Sequence, residues 1–455
     1  MQTHPDSSHV ATVSDLEAPT PAGTKLSTGK RIVLTTFGSF GDLHPYMAIA
    51  LELQARGHHL VIATSRVYQQ KIEDAGIEFA PVRPDLPDPT KDEGMAEMTA
   101  KVMDGKNGSE YLFTHIMMPP LRDSYADLKR AVQEADLLVT HVITFAGPII
   151  AQETGIKWIS TVLSPVSFWS AHDPSVLPNV PGQEFLPKLG PAAYRGFTRM
   201  AQWKSKQWIK EVYQLRRERG LPLGQHPLFE GQHAPDLVLA LFSSVLAQPQ
   251  PDWPPQTCQT GFCFYDRRDG NAMSPELRQF LESGVPPIVF TLGSAAVFDA
   301  RNFFRDSIAA AQRVKQRAIL LIGDQRNLPS EALPEGIVAF DYAPYSELLP
   351  HAAATVHQGG VGTTGQALRS GKPMLVMPFS HDQPDNAARS TRLGVGRTIT
   401  RESYNATTAA AELSKILNDP AYAKKAAEVG RIVQAENGAQ IAADAIERYL
   451  GVVKN

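Results

Sequence analysis

Short apolar, β-rich runs alternate with helical segments along most of this chain. That alternation restricts it to parallel α/β sheets, because strands joined through helices pair side by side only by crossover. Arg31 to Phe37 is one such run, Leu43 to Arg56 has helical periodicity, and His59 to Thr64 is β-rich again, which makes a βαβ unit. The scheme returns in Ala135 to His141, the helical Ala146 to Thr154 and the run Lys157 to Leu163. Leu137, Leu138 and Val139 are apolar on both faces, as a strand covered by helices on each side requires. Pro287 to Thr291, Ala318 to Ile322, Gly336 to Asp341, Ala354 to His357 and Pro373 to Pro378 repeat it in the second half.

A length of 455 residues exceeds the usual single domain of roughly 100 to 200, so two α/β units are expected. Between them, around residues 247–255, the sequence AQPQPDWPP removes backbone donors and forces an extended connection. The expected layout is a flexible N-terminal tail over 1–29, a Rossmann-like domain over 30–246, a linker over 247–275 and a second Rossmann-like domain over 276–455. The second domain ends in a helix that places Ala442, Ile446, Tyr449 and Val453 on one face. The tail carries Asp6, Asp15 and Glu17 and no apolar core, unlike a signal peptide. The longest apolar run, Leu237 to Ala247, is short and holds two serines, so no spanning helix is expected.

With 44 basic and 47 acidic residues the formal charge is -3, which gives no general attraction for nucleic acid or anionic lipid. Two cysteines, Cys258 and Cys263, are too few for a disulfide framework or a zinc site and fit a reduced, cytoplasmic setting. Segments 84–125 and 166–230, rich in Pro, Met and aromatic residues, read as a variable pocket wall.

Chemistry concentrates in the loops after the strands. The first runs Gly38-Ser-Phe-Gly41-Asp42 into a helix bearing Pro45. It lacks the third glycine of a dinucleotide fingerprint, and Asp42 would repel a pyrophosphate at that helix start. A helix-capping role and a catalytic role for Asp42 are compatible. The second loop, His357-Gln-Gly-Gly-Val-Gly-Thr-Thr364, lets the backbone approach an anion closely and sets hydroxyls beside free amides, so a diphosphate is its natural ligand. The lysine of a P-loop is missing. A plain tight turn remains the alternative. Asp382 and Gln383 after another run offer acceptors and an amide for sugar hydroxyls, or a helix cap, and Thr291-Leu-Gly-Ser294 adds a hydroxyl at the same sheet edge. There is no Asp-x-Asp and no His/Cys/Asp cluster with metal spacing, so no metal site is expected. Of His115, His141 and His172, only His141 ends a strand at the cleft, and Arg216 to Arg219 reads as a solvated helix face.

Two long motifs, GSFGDLHPYMAIALELQARGH and the stretch from His357 to Arg389, resemble the inverting, nucleotide-sugar-dependent glycosyltransferases of the GT-B fold. They are nearest the bacterial subgroup similar to sterol glucosyltransferases, glycopeptide glycosyltransferases and rhamnosyltransferases. The resemblance implies two Rossmann-like parallel-sheet domains facing a cleft, with the C-terminal helix packing back. It implies metal-independent, inverting transfer of a hexose from a UDP- or TDP-sugar to a hydroxyl of a small lipophilic or phenolic acceptor, with the donor as substrate and no resident cofactor. It further implies a monomer or weak dimer with no nucleic-acid partner and at most peripheral membrane contact.

The same likeness gives residues roles. His357, Gly360, Gly362, Thr363 and Thr364 would hold the diphosphate, with Ser294 and Gly41 beside it. Asp382 and Gln383 would hold the sugar, and Tyr342 with Ala343 the base. Where many relatives have a catalytic histidine, three residues before the helix proline, this chain has Asp42, as sterol and glycopeptide relatives do. Asp42 is therefore the expected general base, with His44 and His141 in reserve. A ribose-binding glutamate of many relatives is replaced here by Gly365, followed by Gln366. A nucleotide-sugar epimerase and a non-catalytic sugar-nucleotide-binding subunit are the alternative readings of the same fold.

Overall fold

The computed structural model describes residues 29–87, 94–266 and 273–452. Apart from Gly29, the expected tail lies outside the described residues, as does Val453. The first sheet contains β1 (Arg31–Thr35), β2 (His59–Thr64), β3 (Glu78–Pro81), β4 (Leu137–His141), β5 (Lys157–Val162), β6 (Val238–Ala240) and β7 (Thr257–Gln259). They lie in the order β3-β2-β1-β4-β5-β6-β7, all parallel. The second contains β8 (Ile288–Thr291), β9 (Ala318–Leu321), β10 (Ile337–Phe340), β11 (Ala354–His357), β12 (Met374–Val376) and β13 (Gly396–Thr398), ordered β10-β9-β8-β11-β12-β13 and again parallel.

Each sheet reverses its winding once. In the first, the chain moves outward from β1 to β2 and β3 and then returns to place β4 on the other side of β1. In the second, β8 and β11 are the corresponding neighbours. Loops leaving two such strands diverge and open a crevice at the carboxyl edge, which is where open α/β sheets bind ligands. Burial explains why the central strands were readable: Ile32, Val33, Leu34, Leu137, Leu138 and Val139 have no exposed surface.

The segment 247–275 is more than connecting chain, because Thr257–Gln259 supplies the edge strand β7. At three residues, half-buried and preceded by Pro254 and Pro255, it has no sequence periodicity to betray it. The terminal helix Gly438–Leu450 packs back, as expected, on helix Phe40–Ala55 of the first domain, burying Ala442 and Ile446. Arg56 clamps it through Asp444 at 2.6 Å and Glu447 at 2.7 Å, and His58 Nε2 lies 3.0 Å from the second Glu447 oxygen. A further clamp joins the domains: the almost fully buried Arg389 pairs with Asp385 at 2.7 Å and with Asp173 of the first domain, while Asp385 accepts from the Val176 amide at 3.0 Å.

Glu447→Ala strips partners from both Arg56 and His58, which should destabilise the docked helix by about 2 kcal/mol. Hydrogen exchange should then quicken across 438–450 and the facing helix 40–55; exchange unchanged in both would show that the clamp is idle.

Candidate active site

Where β1 ends, Gly38 turns at φ +134°, and a Cβ there would come within 2.2 Å of Asp42 Oδ2, so only glycine passes beneath that side chain. Ser39 caps helix Phe40–Ala55. Its hydroxyl accepts from the Gly41 amide at 3.2 Å, and Asp42 Oδ2 accepts from the Ser39 amide at 2.7 Å, a reciprocal capping box. Asp42 Oδ1 is left toward His141 Nε2, 3.9 Å away, too far for a hydrogen bond. The Asp42 side chain keeps 31 % of its surface open to the gap, yet it is walled in by both domains. Burial raises its pKa to about 6 and outweighs the Ser39 hydrogen bonds, which pull downward. Burial lowers His141 to about 4, so its ring is neutral near pH 7, and its buried Nδ1 has no hydrogen-bond partner.

Across the gap, the loop after β11 leads into helix Val361–Ser370. Gly360 at its N-cap has no side chain to satisfy the free amides, and the cap comes from elsewhere: Asp382 Oδ2 accepts from the Val361 amide at 3.2 Å and from Asn386 Nδ2 at 2.7 Å. Asn386 also donates to the Gly359 carbonyl at 2.9 Å, tying the two loops together. Burial first, and then the charge of Asp42, raise Asp382 to about 7. The two carboxylates therefore sense one another over the gap. The two loops approach each other nearby, where a Cβ on Gly362 would stand 3.4 Å from the Gly41 Cα. Farther along the same edge, Tyr342 after β10 is 61 % exposed and Ser294 after β8 is exposed, while Ala343 is buried beneath them.

On the first-domain side, a cavity of about 220 Å³ adjoins His141 and is lined by apolar Phe145, Ile149 and Val212 and by polar Gln152, Gln232 and His233. Pockets for drug-sized ligands run from about 300 to 1,000 Å³, so this one holds part of such a molecule and leaves the rest in the open gap. Among the described residues, no three His, Cys, Asp or Glu side chains gather in a metal-binding arrangement.

The first part of the chain, residues 32–120, matches the glycosyltransferase family 28 N-terminal domain, and residues 305–447 match the erythromycin biosynthesis protein CIII-like C-terminal domain. O-mycaminosyltylonolide 6-deoxyallosyltransferase of Streptomyces fradiae is 33 % identical over 433 residues, which cover 92 % of this chain and 97 % of that protein. The chain belongs to the GT-B glycosyltransferases. Sterol 3-beta-glucosyltransferase of Leptosphaeria maculans is 28 % identical over 92 % of this enzyme, which spans 29 % of that much longer protein. Among solved structures, the glycotransferase of kitacinnamycin superposes with a TM-score of 0.67 at 23 % identity, covering 93 % and 99 % of the two chains. The calicheamicin glycosyltransferase CalG4 gives 0.67 at 17 % identity, covering 94 % and 100 %.

The residues expected from sequence occupy the glycosyltransferase in different ways. Gly41, Asp42, Gly360, Gly362 and Asp382 converge on the gap. Asp42 is the third helical residue of the capping box, with Ser39 as the N-cap, and Asp382 caps the neighbouring helix instead of its own. His44 is carried round the helix by about 200° from Asp42 and stacks between Phe40 and Tyr265, at centroid distances of 5.3 and 5.2 Å. His357 is wholly buried: its Nδ1 accepts from the Gly359 amide at 3.1 Å, its Nε2 lies 3.4 Å from Met374 Sδ, and burial lowers its pKa to about 3. It shapes the loop, and its ring is neutral. Gln383 turns inward as well, accepting from the Phe379 amide at 2.8 Å, and the Thr364 hydroxyl is buried without a partner, whereas Thr363 sits one step nearer the helix start. Gly365 has a steric cause: a Cβ there would meet the Phe262 ring at 3.0 Å, leaving no room for a glutamate. Arg216 is buried, donating to the Pro222 carbonyl at 2.6 Å and to Gln152 at 2.7 Å, and is not part of a solvated face. Sequence reading gave no role to Asn386, although its place in the helix after Asp382 brings it to both loops.

The folded pKa of Asp42 lies above its ordinary 3.8, so the folded state holds the proton more tightly and loses stability as pH rises from about 4 through about 6. The loss is at most about 3 kcal/mol. Asp42→Asn should therefore melt at a higher temperature than the parent at pH 8 and at nearly the same temperature at pH 4; equal melting at pH 8 would contradict the burial argument.

Proposed function

We propose that this glycosyltransferase moves a hexose, with inversion and without a metal ion, from a UDP- or TDP-sugar to a hydroxyl of a small lipophilic acceptor. The observation that carries the reading is the opposition of Asp42, at the switch point of one sheet, to the amide-rich start of helix Val361–Ser370, at the switch point of the other. The diphosphate lies at that helix start, where free amides and the helix dipole favour negative charge as the leaving group departs. The base stacks on the exposed Tyr342. Asp382, held between the Val361 amide and Asn386, accepts a sugar hydroxyl.

Asp42 works from the opposite side. Ionised above about pH 6, it takes the acceptor's hydroxyl proton as that oxygen attacks the anomeric carbon, which forms the new C–O bond while the bond to the diphosphate breaks. Base and leaving group on opposite faces of the sugar give inversion. His141, neutral and 3.9 Å from Asp42, forms the wall of the acceptor cavity. Its lining is mixed, with Phe145, Ile149 and Val212 for an apolar body and Gln152, Gln232 and His233 for polar groups, which suits an acceptor that carries both. Two structural neighbours described as holding thymidine diphosphate, VinC and the spinosyn rhamnosyltransferase SpnG, support a TDP-sugar, and the relatives named sterol 3-beta-glucosyltransferases support glucose as the sugar.

The test is a panel of UDP- and TDP-sugars with a mixed library of phenolic and lipid alcohols, read by mass spectrometry with chelator present. Transfer to a lipid alcohol or phenol is expected. Asp42→Asn should reduce turnover of the best pair by about 10²- to 10⁴-fold with donor affinity retained. Turnover of the parent only on donor alone would instead make it an epimerase, and full activity in Asp42→Asn would remove the base.

A further inference from the structure

The net charge of -3 conceals a sharply local exception. Between residues 185 and 210 there are six basic side chains, Lys188, Arg195, Arg199, Lys204, Lys206 and Lys210, and not one acidic residue. No ion pair among the described residues engages any of the six. The exposed Glu230 carboxylate reaches the same helix by accepting from Gln202 Nε2 at 2.8 Å. The same stretch exposes four large apolar side chains: Phe185, Leu189 (68 %), Met200 and Trp203 (77 %).

Helical geometry gathers these residues. In helix Pro191–Ser205, positions 195, 199, 200 and 203 recur every three or four residues and are all exposed, so Arg195, Arg199, Met200 and Trp203 form one face. Tyr194 and Ser205 are buried on the other side. Phe185 and Leu189 belong to the turn immediately before the helix, where Lys188 Nζ lies 5.3 Å over the Phe185 ring. Single exposed apolar residues are ordinary, but a cluster that holds a tryptophan beside Lys188, Arg195 and Arg199 is not.

We propose that helix Pro191–Ser205 and the turn before it dock this enzyme on an anionic lipid bilayer. Tryptophan and aliphatic side chains seat at the headgroup level while lysine and arginine meet lipid phosphates, and a face with this division of labour lies flat in the interface. A second copy of the chain fits less well, since a two-fold contact through this face would oppose Lys188, Arg195 and Arg199 to their own copies. The position suits delivery of an apolar substrate. The Tyr194 hydroxyl accepts from the Ser175 amide at 3.3 Å, and the adjoining Val176 amide reaches Asp385 of the second domain, so the helix stands on the rim of the interdomain gap. The inference stands apart from the sugar-transfer reading, because its readout is membrane binding.

The experiment is co-sedimentation of the full chain with phosphatidylcholine vesicles, with and without phosphatidylglycerol, alongside tryptophan fluorescence. Binding should require phosphatidylglycerol, shift the tryptophan emission to the blue and weaken steeply with added salt. The Arg199→Glu/Lys204→Glu double variant should bind more than about tenfold more weakly at an unchanged melting temperature. Trp203→Ser should lose most of the blue shift. Failure of the parent chain to bind, equal binding to neutral vesicles, or undiminished binding by the double variant would each overturn the proposal, as would a parent dimer that these substitutions split. A chain that transfers sugar and ignores vesicles would overturn this inference alone.

Discussion

Gly41 and Gly362 meet where neither carries a side chain, and that approach governs everything between the two domains. A Cβ on Gly362 would lie 3.4 Å from the Gly41 Cα, an ordinary van der Waals contact, so the two loops meet backbone to backbone with no side chain between them. Two helix N-termini, those of Phe40–Ala55 and Val361–Ser370, are thereby brought to one gap. Each would favour a negative charge, by about 0.3 to 1 kcal/mol for an exposed group. The first is already satisfied by Ser39 and Asp42 and the second only partly, by Asp382. This asymmetry separates the acid–base side from the anion-binding side.

Burial decides how the carboxylates behave. The Ser39 hydrogen bonds lower the pKa of Asp42, yet desolvation wins and leaves it at about 6. The same balance, with Asp42 as a neighbour, holds Asp382 at about 7. Two carboxylates with raised pKa values facing one crevice fit a place where protons are exchanged better than one that only binds. The histidines went the opposite way. Among the described residues, His141 and His357 are buried without a carboxylate in hydrogen-bond contact and are neutral, which fits the proposed role of Asp42 as the base.

Much of this was legible in the sequence, for physical reasons that can be named. Strands buried on both faces, such as Leu137–His141, announce themselves as uninterrupted apolar runs, and the pattern Ser39-x-x-Asp42 before an apolar helix is a capping box in outline. Edge elements were not legible. Glu78–Pro81, Thr257–Gln259 and Gly396–Thr398 are short, with at most one buried residue each, so no periodicity marks them. Nor does a sequence report direction. It set His357, Gln383 and Thr364 in the right loops but could not tell that the histidine ring would turn under the glycine loop, that the glutamine would hold the Phe379 amide, or that the threonine hydroxyl would be buried. Local charge was hidden for a similar reason. A total of -3 averages away a basic helix face that emerges only once exposure is known.

The claim that Asp42 is the proton acceptor, poised by burial, meets its most direct test in the pH dependence of kcat/KM for the best donor and acceptor pair. The account predicts an acid limb with an apparent pKa near 6, falling tenfold per pH unit below it. A profile that stays flat down to pH 4.5 would show that no group with the raised pKa of Asp42 takes the proton, and would contradict the account.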